Sequence, residues 1–148
     1  MKLTTKGRYA VLALTEIALS NRNKLIKISE ISESQNISST YLEQILSNLK
    51  NKGFVESLRG PSGGYKLALD PENIRMGDVI EAIEGKIEAK GCINKDRSCT
   101  GLSGKCLNHD LWDELGKQIE LFLDHISLKD IIDRKVLGRS RAPSPFID

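Results

Sequence analysis

Apolar residues recur at the spacing of an α-helix in three segments near the start of the chain. The apolar face of the first, residues 5–20, consists of Tyr9, Leu12, Ala13, Ile17 and Ala18. Residues 28–35 and 39–51 follow as a pair separated by a short polar turn. The apolar face of the second of these is Leu42, Ile45, Leu46 and Leu49. Two short helices joined in this way predict a helix-turn-helix.

The pattern then changes to one that is typical of β-strands. Residues 54–59 and 65–69 predict two strands, and the glycine-rich sequence 60–64 between them predicts a tight turn. A hairpin that directly follows a helix-turn-helix predicts a winged helix, in which the hairpin is the wing.

The second half of the chain alternates between helical and unpatterned segments. Residues 73–83 predict a helix that opens near Met76, whereas residues 84–105 show no periodicity, which is unusual for so long a segment in a compact domain. Residues 108–125 predict a long helix, and a short one follows from residue 127 to about 135. The stripe on the long helix is Leu111, Leu115, Ile119, Phe122 and Ile126.

We therefore predict a mainly α-helical fold with a small β-hairpin. Residues 1–84 form a winged helix-turn-helix domain, and residues 85–107 form a ligand-binding loop. Residues 108–136 supply a long dimerisation helix and the short helix that follows it. Residues 137–148, with two prolines and little apolar surface, form a disordered tail.

Composition and charge narrow the class of protein. No apolar run approaches the roughly 18 residues of a membrane helix, and the N-terminus lacks the features of a signal peptide, so we expect a cytoplasmic protein without a membrane partner. Residues 1–70 carry ten basic and six acidic residues, a net charge of +4, whereas the rest carries twelve and fourteen, a net of −2. The basic half is the natural side for double-stranded DNA.

The second helix of a helix-turn-helix enters the major groove with its N-terminal residues near the base edges. The candidate DNA contacts there are Ser38, Ser39, Thr40, Tyr41, Glu43 and Gln44. Hydroxyls can contact phosphates or bases, an amide can read adenine, and a carboxylate can accept from cytosine N4. Because a carboxylate facing DNA is costly without such a donor, Glu43 would select sequences rather than add affinity.

Each of these assignments has an ordinary structural alternative. Thr40 and Glu43 fit the spacing of a capping box, and Tyr41 could be a partly buried anchor. Arg59 at the tip of the wing suits a narrow minor groove, but it could equally be a solvated hairpin charge.

The unpatterned loop concentrates metal-ligand chemistry. Cys92, Cys99, Cys106 and His109 lie within eighteen residues and include every cysteine of the chain. An odd number of cysteines in a reducing compartment favours ligands over disulfides, and thiolates select zinc, copper(I) or iron–sulfur clusters. The spacing contains no CxxC pair, so these residues leave open a structural zinc site, a [2Fe–2S] cluster, or cysteines that are only small apolar side chains and a histidine that only caps a helix.

The long helix carries more large apolar residues than one small domain can cover. We predict that it forms a homodimer interface anchored by Leu111, Leu115, Ile119 and Phe122. The alternative is that the helix folds back onto the core of its own chain. A two-fold dimer of helix-turn-helix domains would read two related half-sites on DNA.

We do not expect an enzyme, because the sequence contains no paired-carboxylate cleft, no nucleophile–base pattern and no phosphate loop. The glycines of residues 60–64 lie between two strands rather than between a strand and a helix, so they are not a dinucleotide fingerprint.

Several stretches resemble the IscR group, the bacterial iron–sulfur cluster regulators within a larger family of winged-helix redox regulators. They are Lys6-Gly7-Arg8-Tyr9-Ala10-Val11, Ile37 with Tyr41-Leu42-Glu43-Gln44, Arg59-Gly60-Pro61-Ser62-Gly63-Gly64-Tyr65, and the three cysteines with Cys106-Leu107-Asn108-His109. The resemblance spans about residues 1–135. The gaps between the cysteines are longer than in the best-studied members, and Thr40 occupies a position that is serine in the group.

The resemblance implies a homodimeric transcription regulator, mainly a repressor, that holds a [2Fe–2S] cluster through Cys92, Cys99, Cys106 and His109. Cluster occupancy would set which promoters are bound, including those of the cluster-assembly genes. Glu43 and Arg59 match the discriminating glutamate and the wing arginine of the group. The alternatives are a nitric-oxide or redox sensor with a [4Fe–4S] cluster on the same cysteines, and a zinc-stabilised DNA-binding protein that senses nothing.

Overall fold

The computed structural model describes residues 4–20, 24–87 and 108–140. Within them the chain is mainly helical with one two-stranded antiparallel hairpin, which confirms the predicted fold class. In chain order the elements are α1 (Thr5–Leu19), α2 (Ile28–Gln35), α3 (Ser39–Asn51), β1 (Val55–Leu58), β2 (Gly64–Leu67), a short 3₁₀ turn (Pro71–Asn73), α4 (Met76–Glu84), α5 (His109–Asp124) and α6 (Leu128–Ile132).

The turn between α2 and α3 is fixed by local backbone chemistry. α2 ends at Asn36, whose φ of 54° lies in the left-handed region that asparagine tolerates better than most residues. The N–H of Ile37 then donates to the carbonyl of Ser32 at 3.2 Å, and the Ile37 side chain is buried. α3 therefore starts at a defined angle and buries the predicted face, Leu42, Ile45, Leu46 and Leu49.

The wing is anchored to the segment that precedes α2. β1 and β2 pair with Val55 opposite Leu67 and Leu58 opposite Gly64. Tyr65 also exchanges two backbone hydrogen bonds with Ile26, at 2.8 and 3.0 Å. A Cβ at Gly64 would lie 2.6 Å from the Ile26 carbonyl oxygen, so the close approach of these backbones requires glycine at that position.

The core unites α1, α3 and α4 with α6, the last helix of the described residues. Leu128 of α6 is fully buried, and its N–H donates to the carbonyl of Ile74 at 2.8 Å. The N–H of Met76 donates in return to the carbonyl of Ile126, which is also buried. The predicted stripe of the long helix included Ile126, but α5 ends before that residue, and its side chain belongs to the core of the N-terminal elements.

A capping box starts α6. The Ser127 hydroxyl accepts from the N–H of Asp130 at 3.1 Å, and the Asp130 carboxylate accepts from the N–H of Ser127 at 3.0 Å. The hydrogen bond from the Ser127 N–H is the largest cause that lowers the pKa of Asp130 below its ordinary value of 3.8. Desolvation opposes this shift, whereas the Ser127 hydroxyl and the charges of Arg139 and Arg75 also lower the pKa.

The described residues extend into the segment that the sequence predicts as a tail. Residues 137–140 form turns, and Arg139 donates to the Asp130 carboxylate at 3.0 Å and to the carbonyl of Lys135 at 3.1 Å. The ion pair with Asp130 joins this stretch to the first turn of α6. Residues 141–148 of the predicted tail lie outside the described residues.

None of the helices in the described ranges is long and apolar enough to span a bilayer.

Candidate nucleic-acid interface

The first two turns of α3 place most of the predicted DNA contacts on an exposed surface. Five of these residues are exposed: Ser38, Ser39, Thr40, Glu43 and Gln44. They lie opposite the buried face of the same helix because apolar and polar residues alternate at helical spacing. The structure thus leaves them accessible to a ligand, as contact with DNA requires.

The capping-box alternative for Glu43 is wrong. The N-cap position of α3 is Ser38, whose side chain makes no capping hydrogen bond, so Thr40 lies inside the helix and its hydroxyl is not at the position that a capping box uses. The turn of Asn36 and Ile37 starts the helix earlier than the Thr40-to-Glu43 spacing would imply. Glu43 is exposed on the second turn of α3.

Tyr41 is half-buried and packs against α1. Its ring meets the ring of Tyr9 edge-on, with 5.6 Å between centroids and 78° between planes, a favourable arrangement for two aromatic quadrupoles. The partly buried anchor considered for Tyr41 is therefore present. Helical periodicity assigned Tyr9 to the apolar face of α1 but could not identify its partner, because the two residues are far apart in the sequence.

The wing presents Arg59 on an exposed turn directly after β1. A Cβ at Gly63 would collide with the carbonyl of Leu58, so this tight turn requires glycine there. The Leu58 side chain beside Arg59 is 60% exposed and points away from the core. Strand alternation from Val55 could have predicted that orientation, which sequence reasoning overlooked.

The cysteine ligands Cys92, Cys99 and Cys106 lie outside the described residues. His109 is described: it is the first residue of α5 and is half-buried. Across residues 4–20, 24–87 and 108–140, no group of three or more His, Cys, Asp and Glu side chains could hold a metal ion.

The last turn of α4, just before the loop, reaches the start of α1. The Glu84 carboxylate accepts hydrogen bonds from the N–H of Thr4 at 2.7 Å, from the N–H of Gly7 at 3.1 Å and from the Thr4 hydroxyl. Sequence analysis assigned Glu84 to the unpatterned loop, whereas α4 extends through it. Since the contact joins residues about eighty positions apart, no local pattern could have revealed it.

The predicted dimer anchors fall into two groups along α5. Leu111 and Leu115 are exposed, with 60% and 42% of their surface accessible. Ile119 and Phe122 are half-buried, and Phe122 packs against the core. The C-terminal half of α5 thus follows the alternative in which the helix folds back onto its own chain, while the N-terminal half leaves its apolar stripe open.

Comparison with known proteins decides the family. The profile of the Rrf2 family, described as an iron-dependent transcriptional regulator, matches residues 3–134. The chain belongs to the Rrf2 family. Among Rrf2 relatives, it is 45% identical over 137 residues to the HTH-type transcriptional regulator IscR of Aliivibrio salmonicida, covering 92% of this chain and 80% of that protein. It is 41% identical over 139 residues to a putative HTH-type transcriptional regulator of Haemophilus influenzae, covering 94% and 91%.

Solved Rrf2-type structures share the fold. CymR of B. subtilis, named as its global cysteine regulator, superposes with a TM-score of 0.76 at 31% identity, covering 90% of this chain and 98% of that one. IscR of T. potens superposes with a TM-score of 0.71 at 34% identity, covering 91% and 88%. The protein is a DNA-binding transcription regulator with the winged-helix fold of this family.

Proposed function

We propose that this Rrf2 protein is an IscR-type regulator whose choice of promoters is set by a [2Fe–2S] cluster. It acts in the cytoplasm, mainly as a repressor, and controls genes for iron–sulfur cluster assembly. The observation that carries the proposal is the donor set: every cysteine of the chain lies between α4 and α5 and is followed by a histidine at the start of α5. The similarity to IscR proteins supports the same assignment.

The donors fit an iron–sulfur cluster chemically. Cys92, Cys99, Cys106 and His109 would hold the cluster, since three thiolates and an imidazole are soft and borderline ligands. The unpaired N–H groups in the first turn of α5 favour the thiolate form of the nearby Cys106, although Asp110 in the same turn opposes it. When bound, the cluster supplies a group whose presence reports on iron, sulfide and oxidants.

The DNA-reading surface has two parts in this proposal. The first turns of α3 enter the major groove, with contacts from Ser38, Ser39, Thr40, Tyr41, Glu43 and Gln44. Arg59 on the wing reaches the minor groove. Glu43 lowers the affinity for sites that offer its carboxylate no donor, so it discriminates between operators.

A homodimer formed through α5 would place two such surfaces on one duplex. The open stripe of Leu111 and Leu115 supports this interface, because apolar residues of that size gain free energy when a partner covers them. Cluster binding by the residues between α4 and α5 would then change the spacing or the stability of the paired α3 helices.

The experiment that tests the cluster assignment compares the two histidines of the chain. Protein purified without oxygen should contain iron and sulfide in equal amounts, about two of each per chain. His109→Ala should lower the retained iron and alter the visible absorption spectrum, whereas the matched control His125→Ala, beyond the other end of α5, should change neither. Stoichiometric zinc without sulfide would instead identify the zinc-stabilised protein, and a [4Fe–4S] Mössbauer spectrum would identify the nitric-oxide or redox sensor.

A further inference from the structure

Glu84 acts as a cap for α1 although it lies on another helix. The first N–H groups of a helix have no partners within the helix, and the positive end of the helix dipole attracts a carboxylate. The side chain of Thr4, the N-cap residue of α1, makes no capping hydrogen bond. The Glu84 carboxylate instead accepts from the N–H groups of Thr4 and Gly7. The start of α1 is therefore held from the end of α4.

The fit between the two helices is close enough to restrict the sequence. An ideal Cβ at Gly7 would lie 2.9 Å from both Cδ and Oε1 of Glu84, tighter than real Cβ contacts. Any side chain at Gly7 would have to displace the carboxylate. A substitution at Gly7 would therefore act on the contact with Glu84.

One oxygen of this carboxylate opposes the contact. Oε2 of Glu84 is buried and has no hydrogen-bond partner among the described residues. An unpaired buried oxygen loses its hydration without compensation, and such groups in native proteins call for an explanation. A contact that retains this cost is displaced more easily than a fully satisfied one.

The position of Glu84 in the chain suggests why an unpaired oxygen is retained there. It is the last residue of α4, and Gly85, with φ of 85°, ends the helix where the cysteine loop begins. The opposite end of α4 is held by two contacts. The N–H of Met76 donates to the carbonyl of Ile126, and Gly77 lies in close contact with the Asp124 side chain of α5. The end of α4 that carries Glu84 is therefore the end that leads directly into the loop.

A second contact joins α1 to α3, the recognition helix. Tyr9 lies two residues after Gly7, whose N–H donates to Glu84, and its ring packs against Tyr41 in the first turn of α3. A displacement at the start of α1 thus has a direct route to the residues that face DNA.

We infer that Glu84 is a positioning residue that couples the state of the cysteine loop to the recognition helix through the start of α1. That cluster binding changes the loop is part of the function proposed above, and the inference rests on it in that respect. The contact itself rests on described residues alone, so the two can be tested separately.

The first test compares operator affinity for the cluster-loaded and the metal-free protein. Allosteric couplings of this kind typically change affinity by about 5- to 150-fold. Glu84→Ala should bring the ratio of the two affinities to within about twofold of one. Glu84→Gln, which keeps an acceptor oxygen but loses the charge, should retain part of the ratio. The matched control Glu81→Ala, exposed one turn earlier on α4, should keep the wild-type ratio.

The possible results separate the two proposals. If wild-type protein shows a ratio and Glu84→Ala shows the same ratio, with both forms weakened equally, Glu84 is only structural and this inference is overturned. If wild-type protein binds equally in both forms, the proposed function and the inference fail together.

The second test needs no cluster. In metal-free protein, Glu84→Ala should accelerate hydrogen exchange at the N–H of Gly7. Exchange at the N–H of Tyr65, which donates to the carbonyl of Ile26, should stay unchanged. Gly7→Ala should destabilise the wild-type protein but have little further effect in the Glu84→Ala background, since the clash is then removed. Unchanged exchange at Gly7, or additive effects of the two substitutions, would contradict the contact.

Discussion

Helices α3 and α5 are both amphipathic, but the structure covers them very differently. α3 spans 13 residues and fully buries the leucines and isoleucine of its apolar face. α5 is longer, at 16 residues, yet within the described structure its only buried residue is Gly116. The difference teaches that a periodic pattern predicts an apolar face without saying what covers it. For α3 the cover is the chain itself, whereas for the open half of α5 we propose a second copy of the chain.

The largest effect should come from removing core volume under α3. Leu46→Ala should lower the free energy of unfolding by about 2–5 kcal/mol, because Leu46 is fully buried and its loss leaves a cavity. Urea unfolding monitored by circular dichroism measures this. Leu121→Ala on α5, which is 53% exposed, is the control and should cost far less. Equal losses at both positions would contradict the contrast between the helices.

A charge on the open stripe of α5 should act on association rather than on folding. Leu115→Asp should weaken the dimer by about 2 kcal/mol or more, since it places a carboxylate in a desolvated apolar interface. Sedimentation over a range of protein concentrations would detect this. Leu19→Asp, at a leucine at the end of α1 that is even more exposed than Leu115, should leave the dimer intact. A Leu115→Asp variant that sediments like wild-type protein would remove α5 from the interface.

The wing should affect DNA affinity without affecting the dimer. Arg59→Ala should weaken operator binding by about 1–3 kcal/mol, most strongly where A·T base pairs narrow the minor groove. Gel-shift titration at fixed salt measures the loss. Lys117→Ala, which removes an exposed cation from α5, serves as the control. Equal effects of the two substitutions would mean that charge alone, and not the wing, determines affinity.

The smallest effect should come from the cap of α6, and it should depend on pH. Asp130→Asn should lower the free energy of unfolding by about 1 kcal/mol at neutral pH. Because the folded-state pKa of Asp130 lies below its ordinary 3.8, its stabilising effect is fully present above that value and is lost as the pH falls through the folded-state pKa. Unfolding curves of both proteins should therefore converge in acid. A difference that persists below the folded-state pKa would show that the carboxylate charge is not responsible.

The sequence predicted the local elements well and the long-range contacts poorly. α2 and α3 begin and end where their periodicity and turn residues predict, because those signals depend on neighbouring residues. The packing of Leu128 under α1, the contact of Tyr9 with Tyr41, and the reach of Glu84 to α1 join distant positions and leave no local pattern.

The same distinction applies to the candidate site. Helical spacing was enough to predict that Ser39, Glu43 and Gln44 face outward together, since one helix carries them all. The capping-box alternative for Glu43 failed because the start of α3 is set by the turn at Asn36, which the Thr40-to-Glu43 spacing does not take into account. Only the fold could show that the residue just before the cysteine loop caps the first helix.

The most direct test of the account is the ranking of operators by cluster-loaded protein and by a variant with Cys92, Cys99 and Cys106 all changed to alanine. Both proteins are titrated, without oxygen and at one salt concentration, against the same panel of duplexes. We expect the two rankings to differ, with some operators bound tightly by the loaded protein alone and others bound by both. Identical rankings would contradict the claim that the loop controls what the winged helix recognises.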